Sequence, residues 1–168
     1  MFEEQKCEDG IEYVKKINSS VSVNKHLIDT GNIALDAIIS TKKAIAASKG
    51  IDFRLKLQIP EKLPVDANDI CVIFSNALDN AIEACEKIES GNKEIVVTVV
   101  YEDNSLICKI ENTALNENNH DLKTTKKDKK NHGFGIENIK SALSKYQNVL
   151  NIEREENKFI LSFIIWEN

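Results

Sequence analysis

Asn76, Asn80 and Glu83 fall at positions i, i+4 and i+7 of the stretch SNALDNAIEA, Ser75 to Ala84. That spacing lines them up on one side of a helix. An asparagine inside a helix costs about 0.5–0.7 kcal/mol against alanine, because its amide competes for backbone hydrogen bonds. Two of them in an otherwise apolar helix therefore ask for a reason. With Asp79 one turn above Glu83, the stripe offers amide and carboxylate oxygens in a line. Hard oxygen donors suit Mg²⁺, which keeps several waters and binds through one or two protein groups plus phosphates. Spacing alone also fits an ordinary exposed polar face.

A second candidate is NHGFGI, Asn131 to Ile136. Gly133 and Gly135, one residue apart and just ahead of a helical pattern, would let the backbone approach a phosphate and aim free N–H groups at it. A plain turn opening a helix reads the same way. His132 stands beside them, and the five lysines at 123, 126, 127, 129 and 130 make a basic run just upstream in an acidic chain. That run could close over anionic groups or form a solvated loop.

These residues need elements to hold them. Ile11, Val14 and Ile17 give a thin helical stripe between Glu4 and Val21. A broader apolar face from Ile33 to Ala46 predicts a helix capped by Thr30 or Asn32 and ended by Gly50. Strict alternation from Ile51 to Ile59 predicts a half-buried strand, followed by a loop bracketed by Pro60 and Pro64. The asparagine helix is expected over Ala67–Glu89, capped by Asp66 and closed by Gly91, with Ile70, Ile73, Phe74, Ala77, Leu78, Ala81, Ile82 and Cys85 as its buried face. Next come strands EIVVTVVY and SLICKIE, with a hairpin at Glu102–Asn104. A polar stretch from Thr113 to Asn131 is too long for a routine connection. A helix from Gly135 and strands NVLNIER and KFILSFIIW, turning at Glu155–Asn157, complete the chain. Hairpin-linked strands with helices between them predict an α+β two-layer sandwich, one mixed, mostly antiparallel sheet with helices on one face. No glycine-rich turn follows an early strand, which argues against a Rossmann sheet.

The totals set outer limits. A chain of 168 residues with 42% hydrophobic and 29% charged residues suits one soluble domain with a proper core. A net charge of −5 argues against non-specific nucleic-acid binding. No apolar run reaches the ~20 residues of a membrane span, and no signal peptide is evident. Cys7, Cys71, Cys85 and Cys108 form no CxxC pair or Cys/His cluster. The last three read as small buried residues of a reduced cytosolic protein.

Taken together, NALDNAIEA on a helix, a strand ending in KIENT, a long polar loop and HGFGI resemble the GHKL ATP-binding superfamily of gyrase, MutL and the histidine kinases. The resemblance runs from about Asp29 to Trp166 and is nearest to the catalytic domain of sensor histidine kinases, in the peptide-quorum-sensor subgroup of the accessory-gene-regulator and VirS kind. It implies the Bergerat fold over residues 25–168, with 1–24 as the tail of a dimerisation hairpin. The cofactors it implies are ATP and Mg²⁺. Asn80 matches the asparagine that holds Mg²⁺ on the ATP phosphates. Asn76 falls where gyrase-type members carry a water-activating glutamate; an amide cannot take a proton, which suits a kinase that transfers phosphoryl groups and spares ATP from water. Glu83 falls on the nucleotide side of the same box. Asn112 stands for the adenine-reading aspartate, with Thr113 beside it, but both glycines of the usual DxGxG are missing. His132, Gly133, Phe134, Gly135 and Ile136 match the phosphate-side glycine box. The loop from Ala114 to His132 would be the ATP lid, with Lys127, Lys129 or Lys130 meeting phosphate.

The same resemblance implies an enzyme whose phosphoacceptor histidine lies outside this chain, since His26 is followed by Leu27 and not by an acid. Expected partners are ATP or ADP, the dimerisation segment of a parent kinase and, indirectly, a response regulator. The expected state is a monomer or weak homodimer in the cytoplasmic part of a membrane-anchored sensor, without nucleic-acid or membrane contact of its own. Two rivals remain: a nucleotide-binding scaffold without transfer, which the altered adenine motif allows, and an anti-sigma-type serine kinase of the same fold.

Overall fold

The computed structural model describes the backbone of residues 28–115 and 128–167, and side chains over 28–115 and 134–167. The expected N-terminal helix, His26, Lys127 and most of the expected lid lie outside the described residues, as do the side chains of Lys129, Lys130 and His132.

Helix α1 (Ile33–Ser48) is capped by Asn32, whose Oδ1 accepts from the Leu35 amide at 3.1 Å. Thr30, the other candidate cap, donates its hydroxyl to Asp36 at 2.6 Å. Gly50, at φ +68°, turns the chain out of α1, a conformation that costs other residues more. Strand β1 (Asp52–Gln58) follows.

Helix α2 (Ala67–Glu86) carries the asparagine stripe. Asp66 caps it by accepting from the Asn68 amide at 2.8 Å. It ends three residues before the expected Glu89, because the Ile88 amide turns back to the Cys85 carbonyl at 3.1 Å and the Ile88 side chain leaves the helix to bury itself.

Strands β2 (Glu94–Glu102) and β3 (Ser105–Thr113) form a hairpin. Its turn is only Asp103–Asn104, both at positive φ, since Glu102 is already paired with Ser105. That two-residue geometry matches the right-handed twist of the strands. Strands β4 (Asn148–Glu155) and β5 (Lys158–Trp166) form the last hairpin. The sheet order is β1-β2-β3-β5-β4; β1 and β2 run parallel and every other pair antiparallel. A parallel neighbour requires a crossover, and α2 supplies it. Ile95, Val97 and Val99, then Leu106, Cys108 and Ile110, then Leu161, Phe163 and Ile165 line the sheet face that packs under the helices. Phe74 of α2 meets Phe163 of β5 edge-on, ring centroids 6.1 Å apart.

Helix α3 (Asp128–Leu143) departs most from expectation. It begins seven residues before Gly135, so the HGFG segment lies within it and does not precede it. Among the described residues, the glycines at positive φ are Gly31, Gly50 and Gly91. Gly133 and Gly135 are helical, and their amides belong to the helix ladder rather than to the unpaired first turn.

Candidate functional site

The site forms where α2 and α3 pack against each other. Asn76 and Asn80 are half-buried on the side of α2 that faces α3. The Asn76 amide donates to the Val72 carbonyl at 2.7 Å, so its oxygen is directed by the helix itself. That oxygen accepts from the Asn138 amide of α3 at 3.4 Å. Asn80 faces Gly135: a Cβ there would stand 3.2 Å from both amide atoms of Asn80 and 3.5 Å from Asn76 Oδ1. A glycine inside a helix costs about 0.5–1 kcal/mol against alanine. At Gly135 the return for that cost is close approach of the two helices over the asparagine pair.

Beyond Asn80 opens a cavity of about 200 Å³. Asn80, Ala84 and Lys87 line it from α2, Ala114 and Leu115 from the end of β3, and Ile136 from α3. Arg154 of β4 and Phe159 of β5 close the far wall. The two are paired in register, and the Arg154 guanidinium carbon lies over the Phe159 ring at 5.4 Å from its centroid. Apolar walls with a few polar groups set among them are what a small flat ligand needs.

Of the residues expected at the site, Asn76, Asn80, Gly135 and Ile136 come together. Glu83 is exposed and does not line the cavity, and Phe134 points outward at 68% exposure. Asn112 is 3% exposed, donates its amide to the Thr113 carbonyl at 2.9 Å, and is the register partner of Phe159, though it is not itself among the residues that line the cavity. The Thr113 hydroxyl accepts from the Glu94 amide at 3.1 Å. The backbone of His132 and Gly133 is part of α3, and their surroundings lie outside the described residues.

Sequence reasoning missed Lys87, Arg154 and Phe159. One signal was available: Arg154 shares the parity of Leu150 and Ile152, so β4 sets a cation on its inward face.

Among the described residues three ion pairs hold α2 in place, and one of them, Lys49–Glu86 at 2.6 Å, joins its last residue to the end of α1. Lys42 of α1 meets Asp79, the neighbour of Asn80, at 2.5 Å. At the other end, buried Asp69 accepts from Lys145 Nζ and from the Tyr146 hydroxyl, each at 2.6 Å. Both bonds hold its carboxyl below the usual carboxylate range, the Lys145 contact most strongly. The Tyr146 oxygen also accepts from the Asp66 amide at 3.0 Å, which ties the start of α2 to the end of α3.

Cys85 and Cys108 are buried thiols, and Cys71, expected to be buried, is half-exposed along α2. Among the described residues no helix is long and apolar enough to cross a membrane.

A family profile described as GHKL domain matches residues 65–166, more than half of the chain. Among solved structures, the catalytic domain of histidine kinase ThkA aligns with a TM-score of 0.64 at 18% identity, over 82% of this chain and 95% of that one. Acinetobacter baumannii histidine kinase AdeS aligns with a TM-score of 0.60 at 17% identity, over 90% and 71%. For the mycobacterial sensor histidine kinase MprB the values are 0.56 and 12%, over 77% and 93%. At such identities the likeness is one of fold. No curated protein matches the chain.

Proposed function

Because this chain belongs to the GHKL domain family, we propose that it is the Mg·ATP-binding catalytic domain of a two-component sensor histidine kinase, donating the γ-phosphoryl to a histidine outside this chain. The observation that carries the reading is the placement of Asn80 at the mouth of a base-sized cavity, held against Gly135 of the facing helix.

The donor set fits Mg²⁺. Asn80 and Asn76 present neutral amide oxygens, and among the described residues no cluster of acids or histidines forms a metal cage. A hard ion bound by one protein oxygen and by phosphates matches that arrangement. When bound, Mg²⁺ supplies charge neutralisation on the phosphate oxygens. Asn80 would hold it and fix the phosphates at the α2–α3 edge. Asn76, already donating to Val72 and accepting from Asn138, has no group able to remove a proton from water. Catalysis is then mostly positioning of the γ-phosphoryl, with its charge balanced by neighbouring donors.

In this reading the N-terminal residues 1–24 are the tail of a dimerisation hairpin, and the parent is a membrane-anchored sensor of the peptide-quorum kind with a cytoplasmic kinase part and a response regulator downstream. A second reading, a nucleotide-binding scaffold without transfer, is favoured by Asn112, which is tied to its own strand and lies outside the cavity wall. Phosphotransfer separates the two. Incubation with Mg·ATP and a supplied dimerisation segment should label that segment on histidine; binding of nucleotide with no labelling would favour the scaffold.

A further inference from the structure

We propose that the stripe Ile11, Val14, Ile17 and Val21 of this same chain docks as a helix on the outer face of the sheet, the face turned away from the core helices. This goes beyond the nucleotide reading and does not rest on it, since Phe159 and Arg154 of the cavity wall belong to the opposite face.

The surface comes first. Register aligns Val100 of β2, Ile107 of β3, Ile164 of β5 and Val149 of β4 in one row across four strands. The next row, Val99, Cys108, Phe163 and Leu150, packs into the core under the helices, so this one faces away. Trp166 stands beside it on the same face, two residues past Ile164. Ile107 is 38% exposed and Val149 53%, and the hydrophobic core includes none of the five. Apolar groups gathered on one exposed face mark an interaction surface.

The occupant comes second. At helical spacing the four residues of the stripe fall together, while Glu8, Glu12, Lys15 and Lys16 fall on the opposite side. A helix with so thin a stripe needs one partner surface, and the lengths agree. Four strands ~4.8 Å apart carry a row ~14 Å long. A helix from Ile11 to Val21 rises about 15 Å over the same stretch.

The attachment of the segment comes third. Ile28 packs against the core, and the Asn32 side-chain amide donates to the Glu61 carbonyl at 3.3 Å. Glu61 follows the end of β1, where Gln58 pairs with Val100 of the row. The segment therefore joins the domain at the end of the sheet that carries the row. The step from Val21 to Ile28 reaches up to ~23 Å when extended, enough to pass the ~10 Å between packed layers. Where the segment continues a dimerisation hairpin, this contact sets the orientation of the domain against it.

Hydrogen exchange of the full chain tests this, together with the emission of Trp166, its single tryptophan. Amides of residues 11–21 should be protected in the parent. Val14→Asp should speed their exchange by about tenfold or more, and should move Trp166 emission to longer wavelength. Ile107→Thr, which keeps a β-branched residue on the strand, should speed the same amides by about threefold or more. Thermal melts report that each variant is folded, and sedimentation should show a monomer. Absence of protection over 11–21 in the folded parent overturns the proposal. Protection that Ile107→Thr leaves unchanged means that the segment rests elsewhere, and overturns it too, as does Trp166 emission unmoved by Val14→Asp. A dimer that Ile107→Thr dissociates assigns the row to a second copy of the chain and also overturns it.

Discussion

At the scale of single residues, α2 accepts a poor helix former twice and gains a row of directed oxygens. Asn76 is held by its own helix and by Asn138, while Asn80 is held by close approach of Gly135. Gly135→Ala sets two effects against each other. The helix gains about 0.5–1 kcal/mol of propensity, and the added methyl pushes on the end of the Asn80 side chain at 3.2 Å. Tm should change little, while Mg·ADP affinity falls by about fivefold or more, a contrast that a melt and a titration together reveal. Asn138→Ala should likewise leave Tm nearly unchanged, since its bond to Asn76 is long and exposed. The asparagine pair was legible in the sequence because amides at i and i+4 break an apolar pattern. Arg154 and Phe159 were not, since strand alternation identifies a face but not which cavity that face borders.

At the scale of elements, the start of α2 and the end of α3 are joined by Asp69, Lys145 and Tyr146. Tyr146→Phe removes one hydrogen bond to a buried carboxylate and leaves the Asp66 amide without its acceptor. The expected loss is about 1–3 kcal/mol, or a fall of about 2–4 °C in Tm per kcal/mol. Asp69 also sets a pH dependence. Its folded carboxyl titrates below the ordinary 3.8, so its contribution is complete above that value and is lost as pH falls through the lower folded one. Asp69→Asn should be less stable than the parent at neutral pH, and the gap should narrow below about pH 4. Denaturant melts across that range measure it. None of this cluster was visible beforehand, because its members stand 76 and 77 residues apart in the chain. The early start of α3 was also hidden. Two glycines in three residues read locally as a break, and packing against α2 overrides that preference at Gly135.

At the scale of the whole molecule, the element order from α1 to β5 could be read from periodicity alone, as could the layered class. Sheet order could not. β5 lies between β3 and β4, and β1 runs parallel to β2; both depend on pairings between distant segments that local pattern does not encode. That order places the end of β3, β4 and β5 opposite the Asn80 end of α2 and so creates the cavity. For the whole chain, incubation with Mg·ATP alone should yield no phosphohistidine, and label should appear on an added dimerisation segment.

The most direct test of the account is calorimetric titration of ADP with and without Mg²⁺, on this chain and on Asn80→Ala. Binding should strengthen with Mg²⁺ in the parent, and Asn80→Ala should lose at least about tenfold of that Mg²⁺-dependent affinity, the equivalent of ~1.4 kcal/mol for one metal-directed contact. Absence of binding to the folded parent at millimolar ADP, or Mg²⁺-dependent binding undiminished by Asn80→Ala, would contradict it.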